Sequence, residues 1–250
     1  MSCKIIAHRG ANKKAPQNTM PAFRQAIEDR ADGFETDVHL SKDGVPVICH
    51  NYSVDMTSDG VGPISSYTLD ELKKLDFGSY FSDDFKGTQL PTLDEFLDLA
   101  AASDAEIINI ELKCPESGLR ELVSKTLDAV KTHGVLGRVI ISSFSPEVLK
   151  TVKLLEPACR TGFLYPTTNR KICRPVLLDP FFITSRIKAD YIHPMNINVT
   201  RGVVALAHRL GMKVNVWTVN DRAEVKRLLR CGVDGIITDT PDKVREYTEQ

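Results

Sequence analysis

Short runs of aliphatic and β-branched residues recur along the chain, and most are separated by amphipathic stretches with helical spacing. The runs fall at 4–7, 33–40, 45–49, 106–112, 138–144, 160–164, 190–193, 212–218 and 235–238. Their length and composition predict strands. The stretches between them carry helix-start signals. Thr19 offers a capping hydroxyl before Met20-Pro21-Ala22, with the proline early in the first turn. Thr68 with Glu71, and Thr92 with Glu95, have the spacing of capping boxes. Ser145-Pro146-Glu147 reads as an N-cap followed by a first-position proline, and the helix opened by Asn220-Asp221 stops at Gly232. Strand then helix, repeated about eight times, predicts parallel strands joined by crossovers, with the rhythm of a (β/α)8 TIM barrel. A doubly wound open sheet is the alternative, disfavoured because no GxGxxG follows the first run. Residues 51–88 break the rhythm with many turn residues and one helical pattern, and read as an insertion between early barrel elements.

The 250 residues are enough for one such barrel, so 1–250 is expected to form a single domain. A formal net charge of −1 gives no global field to attract nucleic acid or an anionic membrane. No run approaches the roughly 18–20 apolar residues of a membrane span. Met1–Ala7 is too short an apolar lead for a signal peptide, so the expectation is a cytoplasmic protein. The six cysteines, Cys3, Cys49, Cys114, Cys159, Cys173 and Cys231, form no CxxC pair. They are expected to be mostly buried thiols in a reducing compartment rather than zinc ligands or disulfides.

In a barrel, function gathers where strands end at their C-terminal face. The first run ends in His8-Arg9. In Phe34-Glu35-Thr36-Asp37-Val38 the period of two puts both carboxylates on one face. In "INIELK", Asn109, Glu111 and Lys113 share a face in the same way. Acids and a lysine facing into a barrel are costly unless they are paired or hold a metal; facing solvent on an edge strand is the blander reading. Three convergent carboxylates without soft donors suit a hard divalent cation, Ca²⁺ or Mg²⁺. His50 ends another run, and two histidines beside a cation make a general acid and a general base near neutral pH. Arg9 and Lys113 supply positive charge for an oxyanion such as phosphate. Late strands add His193, expected as a substrate contact or a support behind one, and Trp217, expected either to wall a pocket or to pack under a loop. His39, His133 and His208 fall in turn or helix contexts and are expected to face solvent.

These motifs, in order, resemble the glycerophosphodiester phosphodiesterase family: "AHRG", "APQNTMPAF", "FETDVHLSKDGVPVICHN", "DMTSDG", "LPTLDEF", "INIELK", "SSFSPEVL", "VNVWTVN" and "GVDGIITDTP". The likeness covers nearly the whole chain. It implies a (β/α)8 barrel with a small insertion after the second barrel strand. It also implies hydrolysis of a small-molecule glycerophosphodiester to glycerol 3-phosphate and an alcohol, with a divalent cation. By position it assigns catalysis to His8 and His50, the metal to Glu35, Asp37 and Glu111, and phosphate binding to Arg9 and Lys113. Two positions depart from the family pattern: Gln17 stands where the family has glutamate, and Asn51 where it has aspartate after the histidine. Both keep the shape and lose a charge, which bears on the support of Arg9 and of His50. Two rivals are a metal-independent phospholipase C-like barrel, which has no use for three convergent acids, and a catalytically silent phosphodiester-binding protein. The leaving alcohol and the oligomeric state are left open.

Overall fold

The structure, a computed structural model, describes residues 3–113, 117–165 and 180–249. Its strands are β1 (Lys4–His8), β2 (Gly33–Leu40), β3 (Pro46–Ile48), β4 (Ile107–Leu112), β5 (Val139–Ser143), β6 (Arg160–Tyr165), β7 (Tyr191–Pro194), β8 (Lys213–Val216) and β9 (Gly235–Thr238). Each falls on one of the runs anticipated above, with β1, β6 and β7 running one residue past the expected end. All but β3 are parallel to their neighbours, and β1 pairs with both β2 and β9, which closes the barrel. β3 lies outside the ring, antiparallel to β2.

Strands buried on both faces need apolar residues throughout, which is why the runs are nearly continuous. Ile6, Ile107, Ile140, Tyr191 and Ile237 fill the barrel interior, with Trp217 packed against them. Ile5 and Ala7, on either side of Ile6, belong instead to the layers beneath the helices. Those helices are α1 (Met20–Glu28), α2 (Leu69–Leu72), α3 (Leu93–Ala102), α4 (Leu119–Thr132), α5 (Pro146–Leu155), α6 (Pro180–Ile187), α7 (Arg201–Arg209), α8 (Arg222–Cys231) and α9 (Pro241–Glu249). Thr19 and Ser145 cap α1 and α5, and Thr68 and Thr92 complete the capping boxes of α2 and α3. α8 is capped by Asp221 and stopped by Gly232 in the left-handed region. Asn220, freed from capping, turns toward β9. Phe23, Phe34 and Phe96 pack at tilted and edge-on angles between α1, β2 and α3, with ring centroids 4.5 to 6.0 Å apart. All three are buried, so Phe96→Ala would cost about 3–5 kcal/mol.

The insertion follows β2 and begins with β3 itself. With α2 and the 3-10 turns at Ile64–Ser66 and Asp83–Phe85, it forms a unit with its own apolar cluster: Val47, Cys49, Val54, Ile64, Leu72, Phe77 and Leu90. Among the described cysteines all are free thiols; Cys49 and Cys159 are buried, while Cys3 and Cys231 are only half-buried. Cys114 and Cys173 lie outside the described residues. Among the described residues no helix is long and apolar enough to cross a membrane.

Candidate active site

The C-terminal ends of the first barrel strands build the site. β1 ends at His8, and Arg9 takes a left-handed backbone conformation with φ of +56°, which for a non-glycine residue costs roughly 1–2 kcal/mol. That turn aims the Arg9 amide at Glu35, where it donates to the backbone carbonyl (2.9 Å) and to Oε2 (3.0 Å). Gly10 follows with φ of +78° and lies so close to Ala22 that an added Cβ would sit 2.6 Å from its carbonyl carbon. The "HRG" sequence is thus a tight turn that folds a charged residue back over the barrel mouth.

Parallel pairing of β2 with β4 sets Asp37 beside Glu111 and Glu35 beside Asn109. Glu35, Asp37 and Glu111 are buried, and each offers a carboxylate oxygen within 4.8 Å of the others. Lys113 Nζ lies 2.7 Å from Asp37 Oδ1 and 2.5 Å from Glu111 Oε1, and Arg9 Nε lies 3.6 Å from Asp37 Oδ2. Asn18 Nδ2 donates to Asp37 Oδ2 at 2.8 Å. Burial and then the charges of Asp37 and Glu111 push the Glu35 carboxyl well above its ordinary range. Burial and the Asp37 charge raise Glu111 to about 7. Burial also acts to raise Asp37, but Lys113 and Arg9 outweigh it and hold that carboxyl well below its usual value. Lys113 is held above its ordinary value, because Asp37 and Glu111 outweigh the effect of burial. Three acids against two fixed cations leave the cluster short of positive charge. The all-oxygen donor set and the uphill ionisation of Glu35 and Glu111 fit a hard divalent cation.

Two imidazoles flank this cluster. His8 Nδ1 donates to Asp239 Oδ1 at 2.7 Å, which leaves Nε2 facing Glu35 Oε2 at 3.9 Å. Asp239 also accepts from Asn12 Nδ2 on Oδ1 and from Asn220 Nδ2 on Oδ2, each at 2.7 Å. Asn220 Oδ1 in turn accepts from Thr238 Oγ1 and from the Asp239 amide, both at 2.9 Å. Burial lowers the His8 pKa against the upward pull of Asp239. His50, just past β3, donates from Nδ1 to Asn51 Oδ1 at 2.8 Å, and burial lowers its pKa as well. The two family departures therefore act where they were expected to: Asn51 orients His50, and Gln17 Oε1 accepts from Arg9 Nη1 at 2.5 Å. Both keep their hydrogen bonds as neutral amides.

His8, Arg9, Glu35, His50, Glu111 and Trp217 meet around a deep cavity of about 80 Å³, floored by Asn109, Leu164 and Ile237 and edged by Phe144. A second, more open cavity of about 320 Å³ adjoins it, lined by His50, Asn51, Tyr52, Glu111, Lys113, Phe144 and their neighbours. Trp217 walls the deep cavity, its Nε1 donating to the His193 carbonyl at 2.7 Å. His193 itself does not reach either cavity. It is fully buried inside the barrel, its ring lying over Gly162, where an added Cβ would come within 2.8 Å. Of the two expectations for His193, a substrate contact or a support behind one, its burial fits the second, with its carbonyl beneath Trp217. His39 is corrected too: it lies on β2, buried, with Nε2 3.5 Å from the His50 carbonyl, and burial lowers its pKa to about 4. His208 is exposed, paired with Asp234 at 2.8 Å, and His133 is half-buried against the end of α4. Asp239 was missed by the sequence reading, although it follows directly on β9 at the face where function collects.

The sequence model of the glycerophosphoryl diester phosphodiesterase family matches residues 8–243. A Caldanaerobacter subterraneus protein named glycerophosphodiester phosphodiesterase is 38% identical over 242 residues, covering 97% of this chain and 96% of its own. Among solved structures, an Oleispira antarctica phosphodiesterase in complex with the product sn-glycerol-3-phosphate superposes with a TM-score of 0.89 at 27% identity, over 99% of this chain and 97% of that one. A glycerophosphodiester phosphodiesterase from Agrobacterium tumefaciens gives 0.83 at 28% identity, over 98% and 99%.

Proposed function

The chain belongs to the glycerophosphoryl diester phosphodiesterase family, and we propose that it hydrolyses glycerophosphodiesters to glycerol 3-phosphate and an alcohol. One observation carries the reading: two imidazoles, each with Nδ1 committed to an acceptor, border the same cavity as the acidic cluster and Arg9. In this reading Glu35, Asp37 and Glu111 hold one divalent cation, Ca²⁺ or Mg²⁺. Once bound, such an ion neutralises the cluster and draws charge from an oxygen it touches. Arg9 and Lys113 hold the phosphoryl oxygens by charge-assisted hydrogen bonds. Gln17 engages Arg9 without neutralising it, so its charge stays available to the substrate. His8 and His50 present Nε2 to the reacting centre and exchange protons there, one as base and one as acid. Trp217 and the deep cavity walls enclose the glycerol half of the substrate. The free thiols of Cys3, Cys49, Cys159 and Cys231 suit a reducing compartment, and we place the reaction in the cytoplasm.

The test is release of glycerol 3-phosphate from a panel of glycerophosphodiesters, with Mg²⁺, Ca²⁺ or chelator. His8→Ala and His50→Ala should each lower turnover about 10²- to 10⁴-fold. Turnover that survives chelation refutes the metal assignment. Binding of diesters without product under either cation favours a silent binding protein instead.

A further inference from the structure

We propose that Lys14 is a positioning residue for His8: it clamps the segment that follows β1 to the start of α9, and so keeps the acceptor Asp239 on the imidazole. The inference rests on the phosphodiesterase reading and adds to it a residue that lines neither cavity of the site. The segment 9–19 leads from β1 to α1, and Asp239 and Thr240 lead from β9 to α9. The barrel closes between these two crossings, where β1 pairs with β9. They stand at opposite ends of the chain, so side chains must hold them in register. Asn12 Nδ2 donates to Asp239 Oδ1 at 2.7 Å, and Lys14 Nζ donates to Asp242 Oδ2 at 2.7 Å. The partners are two residues apart on the first segment and three apart on the second. The first segment is tightly turned, with the Asn12 amide on the Gly10 carbonyl and the Lys14 amide on the Ala11 carbonyl, both at 2.9 Å. Asp242 lies in the first turn of α9, whose ladder opens with the Val244 amide on the Thr240 carbonyl at 3.1 Å. A displacement at Lys14 or Asp242 is therefore passed to Asn12 and Asp239 rather than absorbed between them.

Lys14 has a second partner. Its Nζ also reaches Asp29 Oδ1 at 2.7 Å, at the C-cap of α1, where Gln25 Nε2 donates to the same oxygen at 3.0 Å. One ammonium thus stands between carboxylates of the first and last helices. The other oxygens, Asp29 Oδ2 and Asp242 Oδ1, are buried and have no hydrogen-bond partner. Without the lysine charge the two carboxylates face each other and repel, which drives the start of α9 away from α1. Arg245 makes a further polar link across the same seam, to Asp32 Oδ2 at 3.0 Å and to the Arg30 carbonyl at 2.7 Å. It lies one turn further along α9, so it can keep the helices together while the start of α9 shifts. The shift would be felt at His8, whose Nδ1 donates to Asp239 Oδ1 at 2.7 Å and whose carbonyl accepts from Asn12 Nδ2 at 2.7 Å.

The experiment compares Lys14→Met, which keeps the stem and removes the charge, with Lys14→Arg, which keeps the charge. Steady-state release of glycerol 3-phosphate at saturating cation is paired with ¹⁵N NMR of His8 in substrate-free protein and with thermal melting. Lys14→Met should lower kcat about three- to thirty-fold with KM nearly unchanged, and should move the His8 nitrogen shifts. Lys14→Arg should restore both. A lower melting temperature alone, with kcat within about twofold of wild type and the His8 shifts unmoved, makes Lys14 a structural brace and overturns the proposal. A fall in kcat with unmoved His8 shifts also overturns it, and so does a loss that Lys14→Arg leaves in place. Wild type that releases no glycerol 3-phosphate from any diester overturns the phosphodiesterase reading, while the His8 shifts still decide the clamp.

Discussion

Replacing Asp239 with asparagine isolates the orientation of His8 from the rest of the site. In the native arrangement Asp239 only accepts: His8 Nδ1 and Asn12 Nδ2 bond to Oδ1, and Asn220 Nδ2 bonds to Oδ2. An asparagine there must turn its own amide nitrogen toward one side. If it faces Asn220, two donors oppose each other, and Asn220 cannot flip without losing its bonds from Thr238 Oγ1 and the backbone amide at 239. If it faces His8, it opposes Asn12 and drives the imidazole into the tautomer protonated on Nε2, which cannot accept a proton there. Either choice leaves a mismatched donor, at about 1–3 kcal/mol. It also removes a charge-assisted bond that strengthens when His8 becomes an imidazolium. A net loss of about 2–3 kcal/mol in the transition state corresponds to roughly a 30- to 150-fold fall in kcat, with KM nearly unchanged. The assay is steady-state release of glycerol 3-phosphate at saturating cation, paired with ¹⁵N NMR of His8 to read its tautomer. A kcat within about threefold of wild type, with the His8 nitrogen shifts unmoved, would refute the reasoning.

Glu111→Gln should weaken binding of Mg²⁺ or Ca²⁺ and lower activity together; calorimetric titration showing unchanged affinity would remove Glu111 from the metal site. Burial holds the His193 imidazole down at about 3, against about 6.5 in an unfolded chain. Because the folded chain keeps it neutral, its contribution is full above about pH 6.5 and is lost as pH falls toward 3, with about 2 kcal/mol gone by pH 5. Urea melts of His193→Asn should therefore show a shallower acid loss than wild type, and parallel slopes would contradict this. The substrate's own glycerol hydroxyl, held beside phosphorus, is expected to be the nucleophile, since that avoids positioning a separate water. Glycerophosphoethanolamine with its 2-hydroxyl replaced by hydrogen should then be a poor substrate, and equal turnover would assign the attack to external water.

The barrel was legible because its strands must be apolar on both faces and its helices announce their starts. The acidic cluster was legible for the same geometric reason: 35 and 37, and 109, 111 and 113, each share a face by alternation. Pairings across distant strands were not. Nothing local to Asp239 shows that its partner is His8 at the other end of the chain. That contact exists only because β9 closes against β1. The choice between the two expectations for His193 was not legible, because alternation says inward but not how deep, and the absence of a side chain at Gly162 lets its ring drop into the interior. His39 was expected to face solvent although it falls inside the predicted strand at 33–40; two residues beyond Asp37, it is carried under the insertion, where it is buried beside Tyr52 and the His50 carbonyl.

The insertion carries a consequence for how activity is lost. His8 is fixed to the barrel, but His50 lies just past β3, in a unit packed around its own small apolar cluster. Such a unit can open as a cooperative piece while the closed sheet stays intact. Mild denaturant should then abolish turnover before the barrel's tertiary signal changes, with amide exchange accelerating first across 46–90 and His50 parted from His8 while the closed sheet survives.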